Sequence, residues 1–209
     1  KKYNVELIEV LTGFKFIGEQ IGFLEAKGEE NRYIFGFEES YGYLAGSYVR
    51  DKDAVVASML ICEMAAFYRA QGISLIEARK RMYAEYGVYC NKLDTFAFEG
   101  ASGMTKMQEI MTNMRTNYPK EIAGAKVVAM ADYEASRKYD LETGKEEVIN
   151  LPKSNVITLY FESGASLVIR PSGTEPKIKL YYTTIGSTLA DAEALQAKYA
   201  EAFTKIVKG

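Results

Sequence analysis

The sequence predicts two successive folds: an α/β portion over residues 1–87, a mixed sheet with helices, and a small α+β domain over 88–209, an antiparallel sheet covered by helices. Three observations carry this reading. Strand-like and helix-like runs succeed one another from residue 3 to residue 86; a helix apolar on nearly every side lies among them; and after Val88 short alternating runs joined by turns lead to one long amphipathic helix. A chain of 209 residues, 48% hydrophobic and 26% charged, is long enough to bury a core in such an arrangement.

In order, residues 3–11 (YNVELIEVL) are apolar and β-branched and predict a strand ending at Thr12-Gly13. A short helix over 14–26 follows, then a strand over 33–37 that ends in the acidic turn Glu38-Glu39-Ser40. Residues 53–71 hold few polar side chains, such as Ser58, Glu63 and Arg69, and predict a helix buried between layers, stopped by Gly72. Asp51 is placed near the N-cap of that helix. Ser74-Leu75-Ile76-Glu77 is a capping-box pattern that opens another helix, closed by Gly87, with Leu75, Met82 and Tyr86 on one face. The domain boundary is set at this helix, because the pattern changes character after it.

In the second part Met104, Met107, Ile110 and Met114 recur at helical spacing and read as core. A strand is predicted over 126–133, a turn over 141–145, and a hairpin of 155–161 with 165–170 across Ser163-Gly164. Ile157, Leu159, Phe161, Leu167 and Ile169 form its buried face. A strand over 176–183 and a helix from near Ser187, striped by Leu189, Ala192, Leu195, Tyr199, Phe203 and Ile206, complete the domain.

Composition narrows the function. Lys plus Arg total 26 against 28 Asp plus Glu, so no general basic field for nucleic acid exists. The longest apolar runs fall short of a membrane span, and no signal peptide opens the chain. Two cysteines, Cys62 and Cys90, lie in unlike contexts and fit a reducing cytoplasm better than a disulfide framework. The absence of His removes a His general base, a His-bearing triad and His metal ligands. The chain opens Lys1-Lys2-Tyr3 without an initiating Met, as expected of a piece of a longer protein.

The stretch IRPSGTEPKIKLYY, residues 169–182, carries anion chemistry. Arg170 offers a planar fork of donors that matches phosphate oxygens two at a time. Ser172 and Thr174 add hydroxyls, and Gly173 lets backbone N–H groups turn inward as an anion nest. Lys177, Lys179 and Tyr181 alternate with Ile178, Leu180 and Tyr182, so both lysines take the unburied face and Lys179 can add charge to the same anion. A tight hairpin whose Pro and Gly serve only the turn also accounts for a bare Ser-Gly-Thr.

The string RPSGTEPKIK resembles the phosphate-binding loop of the C-terminal domain of the α-D-phosphohexomutases, the phosphoglucomutase and phosphomannomutase family. FGFEESYGYLAGSYVRDKDA, from residue 35 onward, resembles the family's sugar-binding loop and the helix start after it. TGFK at 12–15 is similar to a further loop whose threonine lines the substrate site. The motif order agrees from end to end, and GFEESYGYL and DKDAV are most similar to a bacterial phosphoglucomutase branch that includes phosphopentomutase-like members.

The resemblance implies that Thr12, Glu38, Ser40 and Lys52 bind the substrate and that Lys52 can act as a general acid or base. A carboxylate such as Glu38 can accept from two neighbouring sugar hydroxyls; the plainer reading of Glu-Glu-Ser is a solvated turn. Lys15 shares the Thr12 loop, and Glu39 takes no role from the resemblance. Arg170, Ser172, Gly173, Thr174 and Lys179 are implied to hold the phosphate. Residues 1–87 correspond to the later part of the family's third domain, and 88–209 to its fourth. The implied reaction interconverts glucose 1-phosphate and glucose 6-phosphate through a bisphosphorylated intermediate.

The family's phosphoserine loop and its aspartate-rich Mg²⁺ loop have no counterpart in this sequence. Neither cofactor nor metal ligand is therefore expected within the chain. Phosphoserine and Mg²⁺ are expected in the N-terminal domains that would be its partners, and the chain alone is expected to be inactive. A truncated third-domain sheet would leave an edge open to pairing, so a dimer through that edge is a further expectation. The alternatives are part of a phosphomannomutase or phosphopentomutase, a standalone phosphosugar-binding module, or a structural domain whose loops bind nothing.

Overall fold

The computed structural model describes residues 3–38, 40–100 and 102–208, so Glu39 of the acidic turn lies outside the described residues. The chain divides into two compact units, residues 1–81 and 82–209.

The first unit contains α1 (Phe14–Glu25), a 3-10 turn (Glu30–Arg32), β1 (Phe35–Phe37), β2 (Tyr43–Ala45), α2 (Ala54–Ala70) and the start of α3 (Leu75–Tyr86). Helix α1 places Phe14, Ile17 and Ile21 on one stripe, which packs on Leu44 of β2 with Val10 and Tyr33 at the margin. Strands β1 and β2 pair antiparallel, with Phe35 opposite Ala45 and Phe37 opposite Tyr43. Asp53 caps α2, accepting from the Val55 N–H at 2.7 Å and the Val56 N–H at 3.2 Å. The cap thus falls two residues after Asp51, whose carboxylate instead holds Lys52. Ser74 Oγ accepts from the Glu77 N–H at 3.1 Å to open α3, as the capping box predicts.

Two expectations fail in this unit. Residues 3–11 form no strand, and Leu7 is 79% exposed. β-propensity yields a ladder only opposite a partner, and among the described residues no strand lies beside this run. Helix α2 forms as predicted but buries no side chain; Val55, Met59 and Phe67 are all exposed. An apolar pattern records which faces need covering; the cover itself must come from elsewhere in the fold.

The second unit begins with the end of α3 and adds β3 (Val88–Ala97), α4 (Gly103–Thr116), β4 (Glu121–Ile122), β5 (Ala125–Asp132) and β6 (Arg137–Asp140). It ends with β7 (Glu146–Val148), β8 (Ile157–Phe161), β9 (Ser166–Pro171), β10 (Lys177–Gly186) and α5 (Leu189–Lys208). The antiparallel sheet runs β3-β10-β9-β8-β5-β6-β7, with β4 paired to β5. Leu159, Leu167, Ile169, Ile178, Leu180 and Tyr182 share one core with the methionines of α4 and with Tyr199, Phe203 and Val207 of α5. Both helices therefore cover one face of the sheet, and residues of opposite parity line the other.

The helical stripes are shifted from those predicted. On α4 the buried set is Met107, Met111 and Met114, while Met104 is exposed. On α5, Ala192, Gln196, Tyr199, Phe203 and Val207 are buried, and Leu189 is exposed. A buried glutamine disguises that second stripe in a purely hydrophobic pattern. Arg115, in the last turn of α4, grips both oxygens of Asp132 through Nε at 3.2 Å, and donates from Nη2 to Asn155 Oδ1 at 2.6 Å. This clasp ties α4 to the end of β5 and to the approach to β8.

Among the described residues no single helix is long and apolar enough to cross a membrane; α2 and α3 reach that length and hydropathy only as a pair bent by 88°. Cys62 and Cys90 are both free.

Candidate functional site

In the second unit the residues singled out for phosphate binding lie at the end of β9, in loop 171–176 and on β10. Arg170 sits directly opposite Lys179 in the β9–β10 ladder, and Thr95 of β3 flanks Lys179 on its other side. Ile169, Ile178 and Leu180 point into the core, so Arg170 and Lys179 project from the face without helices. Cross-strand neighbours hold their Cβ atoms about 5 Å apart, and like charges so placed repel. Lys177 is neutralised by Glu175 at 3.1 Å, whereas among the described residues no carboxylate pairs with Arg170 or Lys179.

The loop between them is closed by its own backbone: the Ser172 N–H donates to Lys177 O at 2.8 Å, and the Lys177 N–H to Glu175 O at 2.7 Å. Ser172 Oγ accepts from the N–H groups of Thr174 at 3.3 Å and Glu175 at 3.2 Å. A hydroxyl whose lone pairs are so engaged still has its proton to donate outward. Thr174 and Gly173 are exposed. Gly173 does not take a left-handed φ, so the expected nest is not built on a left-handed glycine; nothing lies within 4 Å of the place a Cβ would occupy, which leaves the loop open. Behind the loop, the Phe98 N–H donates to Pro176 O at 2.8 Å, and a Cβ on Gly103 would stand 2.9 Å from Pro176 Cβ. The start of α4 thereby braces the loop.

In the first unit Thr12, Glu38, Ser40 and Lys52 belong to three segments. Thr12 is half-buried just before α1, where Gly13 takes φ +129°. Phe14, next in that motif, lies under Lys52, whose Nζ is 5.7 Å from the ring centroid. Lys15 points instead over the Phe16 ring at 4.8 Å. Glu38 begins the loop that joins β1 to β2; its N–H donates to Gly42 O at 3.0 Å, and the Tyr41 N–H donates to Glu38 O at 3.2 Å. Ser40 is exposed on the same loop. The Glu38 carboxylate and the Lys52 stem meet over Gly42: the position of a Cβ there is 2.8 Å from Glu38 Oε1 and 2.9 Å from Lys52 Cδ.

Local electrostatics fix the lysine. Asp51 Oδ1 accepts from Lys52 Nζ at 3.0 Å and from the Lys52 N–H at 2.8 Å, and these bonds hold the Asp51 carboxyl below the usual carboxylate range. Asp53 is likewise lowered, first by the Tyr48 hydroxyl and then by the α2 N–H groups. Tyr41 holds a left-handed φ of +66°, a strained choice for an aromatic residue, within the same loop as Glu38 and Ser40. The sequence assigns no site role to Phe14, Gly42 or Asp51; all three stand inside quoted motifs, and only their three-dimensional contacts mark them. Among the described residues no group of three or more acidic or cysteine side chains comes together to hold a metal ion.

Comparison with known proteins gives a consistent result. The family model for the phosphoglucomutase/phosphomannomutase α/β/α domain III matches residues 1–86, and that for the C-terminal domain of the same family matches residues 111–202. A phosphoglucomutase of Staphylococcus epidermidis is 44% identical over 86% of this chain and 32% of its own length. One from Staphylococcus aureus is 46% identical over 85% of this chain and 32% of its own length. The chain thus spans about a third of the curated relatives it matches. A crystal structure of parafusin, a phosphoglucomutase from Paramecium in an open form, superposes with a TM-score of 0.62 at 19% identity, covering 99% of this chain and 34% of that one. At that identity the likeness speaks for the fold alone.

Proposed function

This chain belongs to the phosphoglucomutase/phosphomannomutase family, and we propose that it is the substrate-holding C-terminal portion of a phosphoglucomutase. The full protein interconverts glucose 1-phosphate and glucose 6-phosphate in the cytoplasm, through a bisphosphorylated intermediate. Residues 1–87 supply the end of the third domain and residues 88–209 the fourth. Each carries one task.

The task of the second unit is to hold the phosphate that is not reacting. The observation that carries this is the pair Arg170 and Lys179, two cations opposite each other with no carboxylate partner among the described residues. A dianion converts that repulsion into two charge-assisted contacts, and the hydroxyls of Ser172 and Thr174 complete its shell, with Gly173 leaving room for it. The task of the first unit is to grip the sugar. Glu38 accepts from ring hydroxyls, Ser40 and Thr12 add contacts, and Lys52 donates to the substrate or moves a proton at a sugar oxygen. Among the described residues no acidic or cysteine cluster fits Mg²⁺; by the family resemblance the metal and the phosphoserine are assigned to the N-terminal domains, and no step in this chain is routed through either.

Those domains are the chain's principal partner. The exposed apolar side chains of α2 are the kind of surface that another layer of an α/β/α domain covers. Without that layer, the same surface and the open hairpin edges favour self-association.

Calorimetric titration with glucose 6-phosphate tests the proposal. Arg170→Ala should weaken binding about tenfold or more, the effect of losing a hydrogen-bonded charge. Unchanged affinity would refute the phosphate assignment. Mannose 6-phosphate and ribose 5-phosphate, run alongside, decide between the glucose reading and its phosphomannomutase and phosphopentomutase alternatives. The chain alone should show no mutase turnover, and mixing it with the N-terminal domains should restore it.

A further inference from the structure

We infer that Gly42 is a positioning residue for the sugar-binding loop: the volume left by its missing side chain is where the Glu38 carboxylate and the Lys52 stem come together. The inference rests on the sugar-binding reading above and adds to it the element that sets the spacing of the two groups.

Gly42 is buried at the foot of the β1–β2 loop, paired to Glu38 through the Glu38 N–H. Its φ is not left-handed, unlike that of Gly46 at +81°, so the backbone here imposes no need for glycine. What excludes a larger residue is side-chain crowding. A Cβ would stand 2.8 Å from Glu38 Oε1, 3.0 Å from Glu38 Cγ and 2.9 Å from Lys52 Cδ. Every one of these atoms belongs to a flexible side chain. Gly18 presents the opposite case, since its Cβ would run into the backbone carbonyl of Arg50. An alanine at 18 must move the fold; an alanine at 42 has only to push Glu38 and Lys52 apart.

The separation matters chemically. A carboxylate and an ammonium that converge from one side can treat a sugar hydroxyl as donor and acceptor at once, and such charge-assisted bonds are the strong ones. Lys52 is tethered at Nζ by Asp51 and rests over Phe14, so displacing its Cδ swings the stem about that tether and away from Glu38. The ligand class affected is the polyhydroxylated ring. Inorganic phosphate, which has no ring, should not sense the change.

The experiment has two arms on the full 209-residue chain. In the first, without ligand, the Glu38 side-chain carboxyl ¹³C shift is read with and without Lys52→Ala, in the parent and in Gly42→Ala. Lys52→Ala should move that signal in the parent and leave it nearly unmoved in Gly42→Ala, with a native-like amide spectrum in both. Equal responses in the two backgrounds, no response in the parent, or a Gly42→Ala chain that unfolds would each overturn the proposal. In the second arm, Gly42→Ala should bind glucose 6-phosphate about tenfold more weakly and inorganic phosphate as the parent does. Unaltered hexose-phosphate affinity would also overturn it. If the parent binds inorganic phosphate but gains nothing from the sugar, the sugar reading fails, and the first arm still decides the role of Gly42.

Discussion

The second unit buries most of its large apolar side chains, and the first leaves many of its own on the surface. Tyr182, Tyr199 and Phe203 are sealed between sheet and helices, whereas Val55, Met59 and Phe67 of α2 face solvent. Among the described residues of the first unit, Phe14, Ile17, Ile21 and Leu44 make the buried cluster. The difference teaches where each loop draws its rigidity. Loop 171–176 is strung between two long strands of a completed sheet and braced by the start of α4. The loop after Glu38 stands on a hairpin of three-residue strands and one face of α1. A phosphate grip on the former should survive in this chain, while the sugar grip should sharpen when α2 is covered.

The contrast can be broken most forcefully in the cores. Phe203→Ala should cost about 3–5 kcal/mol of stability in denaturant unfolding, as expected for a fully buried aromatic. Met59→Ala, at an exposed site of comparable hydrophobicity, should change it by no more than about 0.5 kcal/mol. Comparable losses would mean that α2 is covered in solution. Next in size is Arg115→Ala, which strands the nearly buried Asp132 carboxylate and should cost roughly 3 kcal/mol, read in the same unfolding experiment.

Smaller effects probe the first unit. Tyr41→Gly should stabilise it by about 1 kcal/mol in thermal melts, because glycine takes φ +66° without penalty. A destabilised variant would show that the Tyr41 side chain, and not its backbone, holds the loop. The smallest effect is in pH. The Asp53 carboxyl is depressed by the Tyr48 hydroxyl and the α2 N–H groups. Its contribution is therefore complete above the ordinary aspartate pKa of about 4 and is lost as pH falls through the lower folded value. Helical signal from α2 should fray in that acid range, and Asp53→Asn, a neutral cap, should flatten the dependence. A parent and variant with the same acid profile would remove Asp53 from that role.

Much of the second unit could be read from the chain, because its strands find partners within it. The alternation around Ile178, Leu180 and Tyr182 placed Lys179 on the open face, and the register then set it opposite Arg170. Sequence could not give that register, which depends on where the 171–176 turn closes. The first unit was legible in its helices, since capping and periodicity are local: Ser74 caps α3 as its pattern indicates. Residues 3–11 misled, because a strand exists only in relation to a neighbour. The meeting of Glu38 and Lys52 over Gly42 was hidden for the same reason, as it joins residues fourteen positions apart through a side chain that is absent.

We propose that Arg170 and Lys179 form an anion clamp on the second unit. The most direct measurement is an amide-resolved NMR titration of the parent and of Arg170→Ala with inorganic phosphate at fixed ionic strength. Saturable shifts are expected at residues 170–179 and at Thr95, and are lost in the variant. Shifts scattered over the surface lysines, or the same saturable response in Arg170→Ala, would contradict it.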